Sequence, residues 1–231
     1  MHILAFDTCF DGCSACVAEL RGGAVSVRSS LLERFETGHA ERLIPMIGEV
    51  MAKADLGFHQ IDRIAATTGP GTFTGTRIAI AAARSLALAT GAGTIGASSL
   101  AVMAEAARAK IGDKPLAVVV DARRGEVYAQ LFGAGGGADA VTAPMLLSLD
   151  DAAGLGGSEP IVLVGSASRA VAEIAVLKGR VVYPTLPDLI PDAVALAHLA
   201  GSLPLSEVPL SPLYLRPPDA KPQDGKAVAR A

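Results

Sequence analysis

The sequence predicts a mixed α/β fold in which one design is used twice, and three observations carry that prediction. The first is an opening that recurs. His2 to Phe6 is a short apolar run ending at Asp7, followed by a tight connection through Asp11-Gly12 and a second strand-like run from Ser14 to Leu20. Ala117 to Val120 likewise ends at Asp121, turns at Arg124-Gly125 and continues as Glu126 to Phe132. In both copies turn residues separate two apolar runs, the pattern of a hairpin. The second observation is a further candidate strand after each hairpin, Ala24 to Leu32 and Val141 to Ser148. The third is the alternation of helix-like and strand-like segments that follows each triplet.

Taken in order, the first half continues with a helix from about His39 to Ala54, a buried strand from Ile61 to Thr68 that ends in small residues, and a helix from Arg77 to Thr90. A short strand near Gly93 to Ile95 and a helix from Ser98 to Lys110 complete it. Gly112-Asp113-Lys114-Pro115 then breaks the chain. The second half repeats the alternation more weakly, with strands near Ile161 to Val164 and Arg180 to Tyr183 and helices near Ser168 to Leu177 and Asp192 to Gly201. A three-stranded meander followed by alternating helices and strands, occurring twice, is the pattern of duplicated ribonuclease-H-like lobes, the actin-like (ASKHA) fold of actin-like ATPases and sugar kinases. The expected division is an N-terminal lobe over 1–111, a second lobe over 112–216 and a disordered tail over 217–231, because the residues after Pro217-Pro218 are polar and lack hydrophobic periodicity.

Composition narrows the function classes. Of 231 residues, 51% are hydrophobic, enough for a substantial core. The net charge of −3 and the lack of a lysine- and arginine-rich run interleaved with aromatics disfavour independent nucleic-acid binding. The opening MHILAFDT has no charged leader region, and no apolar stretch runs uninterrupted for about twenty residues, so a cytoplasmic protein without a membrane partner is expected. The three cysteines, Cys9, Cys13 and Cys16, have the C-x3-C-x2-C spacing with which radical enzymes hold an iron–sulfur cluster. Ser14 to Leu20 reads as a strand, however, in which cysteine is an ordinary small apolar residue, so the cluster is the minor reading. His2, His39, His59 and His198 form no ligand pair at helical spacing, and no metal site is expected.

The segment richest in chemical implication is Gly69-Pro70-Gly71-Thr72-Phe73-Thr74-Gly75-Thr76-Arg77, a glycine-rich turn between a strand and a helix. It opens a helix N-terminus, where unpaired N–H groups and the dipole favour an anion, and its glycines permit close backbone approach. It is not a Walker A loop, since five residues separate Gly69 from Gly75 and Thr76 stands where the lysine belongs. Two readings stay open: a phosphate cradle, or a tightly packed strand-to-helix connection. Asp7 and Asp121 stand where active relatives of the fold hold metal or phosphate, but Thr8, Cys9 and Ala122 beside them supply no second carboxylate. The preferred reading is a degenerate nucleotide cleft formed by Asp7, Thr8, Gly69, Gly71, Thr72 and Asp121, with Arg123, Arg124 and Glu126 paired across their turn. The contrasting reading is an active actin-like kinase or ATPase that uses Asp7 or Asp121 with a magnesium nucleotide.

Five segments in order, ILAFDT, GPGTFTGTRIAIAAARSLA, GASSL at 96–100, DARRGEVYAQLF at 121–132 and the terminal YLR, resemble the bacterial TsaB family over residues 1–216. The family's usual Asp-Thr-Ser opening stands here as Asp7-Thr8-Cys9. The resemblance implies an actin-like fold without catalytic residues of its own. It implies a scaffold for the paralogue TsaD, with the ATPase TsaE as third component, in placing threonylcarbamoyl on adenosine 37 of tRNAs that read codons starting with A. TsaD would perform the transfer, ATP or ADP and a metal ion would sit in the partner subunits, and tRNA would be met only through the complex. The paralogue's metal site looks like a His-x-x-x-His helix, whereas the matching helix here offers His39 followed by Glu41 and Arg42.

Two helices are the expected meeting surface. In the helix from His39, the apolar positions Leu43, Ile44, Met46, Ile47, Val50 and Met51 cover more than one stripe. The helix from Arg77 is apolar nearly all round and rich in alanine, which allows close helix approach. An intermolecular four-helix bundle with TsaD, or with a second copy when TsaD is absent, is expected through Leu43, Met46, Ile47, Val50, Ile80, Ala83, Arg84 and Ala87. The competing expectation is that both helices are covered within the monomer.

Overall fold

A computed structural model describes residues 1–134 and 139–216; the expected disordered tail lies outside the described residues. Two five-stranded sheets carry the same arrangement. The first is built from β1 (His2–Asp7), β2 (Cys13–Arg21), β3 (Ala24–Glu33), β4 (Arg63–Thr67) and β5 (Gly93–Ala97) in the order β3-β2-β1-β4-β5. The second uses β6 (Leu116–Asp121), β7 (Glu126–Phe132), β8 (Met145–Ser148), β9 (Ile161–Val164) and β10 (Val182–Thr185) in the order β8-β7-β6-β9-β10. In each, the first strand pairs antiparallel with its hairpin partner and parallel with the fourth strand. This is the duplicated ribonuclease-H-like, actin-like α/β fold that the recurring hairpin predicts.

Helices α1 (His39–Lys53), α2 (Phe73–Thr90) and α3 (Ser99–Ile111) belong to the first repeat, and α4 (Leu149–Ala152), α5 (Ser168–Leu177) and α6 (Ala193–Ser202) to the second. Where the first repeat has the fifteen residues of α1, the second has the four of α4, capped by the Ser148 hydroxyl, which accepts from the Asp151 N–H at 3.0 Å. Two element ends differ from expectation for local reasons. β8 starts at Met145 rather than Val141, because Pro144 has no N–H for the ladder and leaves only an isolated bridge between Phe132 and Ala140 before it. α2 starts at Phe73 rather than Arg77: the Thr72 hydroxyl accepts from the Gly75 N–H at 3.1 Å, an N-cap that draws half of the glycine-rich turn into the helix.

α1 and α2 cover one face of the first sheet, with Leu43, Met46, Ile47 and Ile80 packed on Leu4, Phe6 and Ile64. α3 and α6 cover the other, around Ile3, Ala5, Ile95 and Leu196. α3 also serves the second sheet, since Leu100, Met103 and Ala107 bury against Leu116, Val118 and Phe132. α3 is therefore the element held between the two sheets. The chain beyond β10 returns to the first sheet, where α6 packs and Leu210 enters the core under α1 and α2. Cys13 faces the α1–α2 layer and Cys16 the α3–α6 layer, because positions three apart on a strand point to opposite faces. Cys13 and Cys16 are thus buried packing residues on opposite faces of the sheet, and Cys9, buried beyond the end of β1, donates to the Thr67 hydroxyl at 3.2 Å.

Candidate functional site

The three glycines of the strand-to-helix turn serve the protein's own backbone. A Cβ at Gly75 would stand 1.9 Å from the Thr8 carbonyl oxygen, and one at Gly71 would stand 2.4 Å from that of Cys9. Gly69 has φ 101°, and a Cβ there would stand 3.1 Å from the Leu213 carbonyl oxygen. Hydrogen bonds hold these approaches: the Thr8 hydroxyl donates to the Gly75 carbonyl at 2.7 Å, and the Thr72 N–H to the Cys9 carbonyl at 2.7 Å. These contacts pack the turn tightly and fix the start of α2 against the end of β1.

Between the sheets lies a cleft of about 810 Å³. Of the six residues assigned to it from sequence, Gly71, Thr72 and Asp121 line it, whereas Asp7, Thr8 and Gly69 lie behind its wall. Asp7 is only 2% exposed and accepts from the Thr67 hydroxyl at 2.5 Å and the Cys9 N–H at 3.2 Å. Burial pushes its carboxyl from 3.8 up to about 6, although the Thr67 and Cys9 hydrogen bonds pull the other way. Asp121 ends β6 in the open; its own N–H donates to the Ser166 hydroxyl at 2.9 Å, and its Oδ1 accepts from the Arg123 N–H at 2.8 Å.

The raised carboxyl of Asp7 has a consequence for stability. A folded-state value above the unfolded one means that the folded chain holds the proton more tightly, so the contribution is fully present below the usual carboxylate range and is lost as pH rises toward about 6. Asp7→Asn keeps an acceptor for Thr67 without the buried charge. It is expected to stabilise the chain by on the order of 2 kcal/mol at neutral pH and by little at pH about 4, as urea unfolding at the two pH values would show.

The helix pair requires a correction. Leu43, Met46, Ile47, Val50, Ile80 and Ala83 are at most 4% exposed and belong to the core of the first sheet, so they do not face a partner. Of the eight predicted interface residues only Arg84 is exposed, and Ala87 is half-buried. The outward row of α1 is Ile44, Gly48 and Ala52, and that of α2 is Ala81, Ser85 and Leu88, with Ile44 56% and Leu88 89% exposed. His39, at the start of α1, donates through Nε2 to the Phe10 carbonyl at 2.8 Å and so pins α1 to the β1–β2 loop.

Sequence reasoning did not find the strap formed by Leu213–Arg216. The Leu213 N–H donates to the Thr68 carbonyl at 2.7 Å, and the Tyr214 ring stacks on Phe73 with centroids 5.9 Å apart. The Arg77 guanidinium lies 3.3 Å over Phe73. Two residues on, Arg216 pairs with Glu126 at 2.5 Å and donates to the Arg123 carbonyl at 3.3 Å. The strap thus ties the start of α2 to the β6–β7 hairpin across the cleft, and the carboxylate of Glu126, expected to pair within its own turn, is held by Arg216. The terminal YLR was the available signal, since an aromatic and an arginine after a Pro-rich stretch lose much conformational freedom on ordering and need contacts to offset it.

Comparison with known proteins bears on the family and the fold. Residues 33–186 match the model of the family described as TsaD, tRNA N6-adenosine threonylcarbamoyltransferase. The tRNA threonylcarbamoyladenosine biosynthesis protein TsaB of Escherichia coli is 38% identical over 128 residues, which are 55% of this chain and 53% of that protein. The chain thus spans about half the length of the curated TsaB relatives it matches. An uncharacterized protein of Mycobacterium tuberculosis is 33% identical over 80% of this chain and 78% of its own. The solved structure of YeaZ from Pseudomonas aeruginosa superposes with a TM-score of 0.75 at 30% identity, covering 87% of this chain and 90% of that one.

Proposed function

The chain belongs to the TsaD family and, within it, to the TsaB proteins, and on that premise we propose that it is a scaffold subunit without catalysis of its own. It binds and activates TsaD, together with TsaE, in the N6-threonylcarbamoylation of adenosine 37 of tRNAs that read codons beginning with A. The observation that carries this reading is the use made of the glycine-rich turn. Its glycines meet the carbonyls of Thr8 and Cys9, so the segment sets the angle of α2 instead of cradling a phosphate. Beside it, α1 and α2 present outward rows of small and apolar residues, the composition that lets a second helix pair approach closely. The same face joins two copies when TsaD is absent. Nucleotide and metal ion belong to the partner subunits, tRNA is reached only through the complex, and the work is cytoplasmic; no helix among the described residues is long and apolar enough to cross a membrane.

The alternative of an active kinase or ATPase draws on Asp121, which is open to the cleft, but the buried and hydrogen-bonded Asp7 is not presented to a magnesium nucleotide. Mixing the purified chain with TsaD of the same organism and measuring mass by light scattering decides between them. A stable heteromer is expected, with negligible ATP turnover by the chain alone. Two separate peaks, with both proteins folded and nucleotide supplied, would remove the scaffold reading, and turnover abolished by Asp7→Asn would install the alternative.

A further inference from the structure

We infer that Leu213–Arg216 is a clasp, fixed at one end and releasable at the other, through which the second sheet sets the start of α2, and that Tyr214 and Arg216 are positioning residues for the TsaD face. The second part rests on the scaffold reading above. The fixed end belongs to the first sheet. The Ser206 N–H donates to the Thr94 carbonyl of β5 at 2.8 Å, Leu210 is buried beneath α1 and α2, and the Leu213 N–H reaches the Thr68 carbonyl just past β4. A buried leucine and main-chain bonds at a sheet end open only with the sheet itself. The other end differs in kind. Arg216 crosses to the second sheet, where it holds the Glu126 carboxylate and the Arg123 carbonyl, with 22% of its own side chain and 39% of that of Glu126 open to water. A solvated ion pair is a weak tie, screened by salt, so it can release while the rest of the fold stays closed.

The turn that Arg216 grips is strained. Arg123 and Arg124 have φ 66° and 60°, left-handed values that residues other than glycine keep only where their surroundings hold them. Arg123 is held on both sides, by its N–H on the Asp121 carboxylate at 2.8 Å and by its carbonyl on Arg216. Release of Arg216 therefore loosens the turn together with the strap. Between the two ends lies α2. Tyr214 stacks on Phe73, whose ring also carries the Arg77 guanidinium, and Phe73, Arg77, Ala81 and Ser85 follow one another at steps of four along the helix. All four are exposed and continue in the outward row to Leu88. The strap thus bears on the first turn of the row proposed to meet TsaD, while its grip lies on the second sheet.

Hydrogen exchange of the full chain, read at the amides of residues 75–81, tests the clasp, because local opening sets the exchange rate. Glu126→Ala lies on the second sheet, yet it is expected to speed exchange at the start of α2 about fivefold, the scale of one exposed ion pair, as is Arg216→Ala, with exchange in β1 and β4 unchanged. Tyr214→Ala should act on α2 to a similar extent, whereas Tyr214→Phe keeps the stack and the parent rate. Lys178→Ala, which removes a solvated ion pair with Asp150 between the end of α5 and α4, should leave α2 alone. Exchanging the charges, Glu126→Arg with Arg216→Glu, should restore the parent rate. Calorimetric titration with TsaD is expected to give about fivefold weaker binding for Arg216→Ala and Tyr214→Ala, and near-parent binding for the exchanged pair. Unchanged exchange at 75–81 in Glu126→Ala, or protection lost equally over the whole first sheet in Arg216→Ala, would overturn the clasp. Faster exchange with unchanged TsaD affinity would overturn the positioning role. A parent chain that forms no complex with TsaD removes the scaffold reading and the positioning role with it, while the exchange rates still decide the clasp.

Discussion

Ile44→Arg and Leu88→Arg are expected to abolish association with TsaD while leaving the chain folded, whereas Ile80→Arg is expected to unfold it. The three positions lie on the same two helices and differ in what surrounds them. Ile44 is 56% and Leu88 89% exposed, so an arginine there keeps its head in water, and the monomer loses less than about 0.5 kcal/mol. Once a second helix pair covers that face, the same guanidinium is desolvated without a partner, at a cost of several kcal/mol, on the order of 3–5. Ile80 is 4% exposed in the layer beneath, among the side chains that cover Leu4 and Ile64. An arginine there forfeits the burial of an isoleucine and places a charge in the core, more than about 4 kcal/mol in all. Thermal unfolding of each variant alone, followed by light scattering with TsaD, separates the two outcomes. If both surface variants bind as well as the parent chain, the partner face lies elsewhere.

The contrast also shows how far the sequence could be read. The fold was legible because the hairpin ending in aspartate occurs twice and each strand triplet is followed by helices; β9 falls on the predicted residues Ile161 to Val164. The helix pair was legible as two apolar helices, but not as to which stripe faces out. In α1 the i, i+3, i+4, i+7 set Leu43, Met46, Ile47 and Val50 meets the sheet, and Ile44 is left over. Choosing the fuller stripe as core would have assigned it correctly; choosing it as the interface did not. The cleft was half legible. Asp121 and the turn residues Gly71 and Thr72 line it, but Asp7 ends a strand buried beneath α2, and nothing within its own hairpin reports that. The Leu213–Arg216 strap was the least legible, because its partners Thr68, Phe73 and Glu126 are distant in sequence and only the closed fold brings them together.

Gly75→Ala should destabilise the chain by more than about 3 kcal/mol, at the far end of single-substitution effects, even though the position lies in a helix. Helix propensity alone predicts the opposite sign, since alanine is favoured over glycine by about 1 kcal/mol in a helix interior. Gly48, in α1 with open space for 4 Å around the place a methyl group would take, supplies the control: Gly48→Ala is expected to stabilise by about 0.5–1 kcal/mol. At Gly75 the added carbon would stand 1.9 Å from the Thr8 carbonyl oxygen and 2.6 Å from the Thr72 hydroxyl that caps α2. Both neighbours are committed, Thr8 by its hydroxyl bond to the Gly75 carbonyl and Thr72 by its N–H bond to the Cys9 carbonyl. Relief requires α2 to withdraw from the end of β1, which opens the core around Ala79 and Ile80 and turns the outward row ending at Leu88. Urea unfolding of the two glycine variants is therefore a direct measurement of whether the glycine-rich turn is built for its own backbone. A Gly75→Ala chain as stable as the parent would mean that the turn has slack, and with it room for a phosphate.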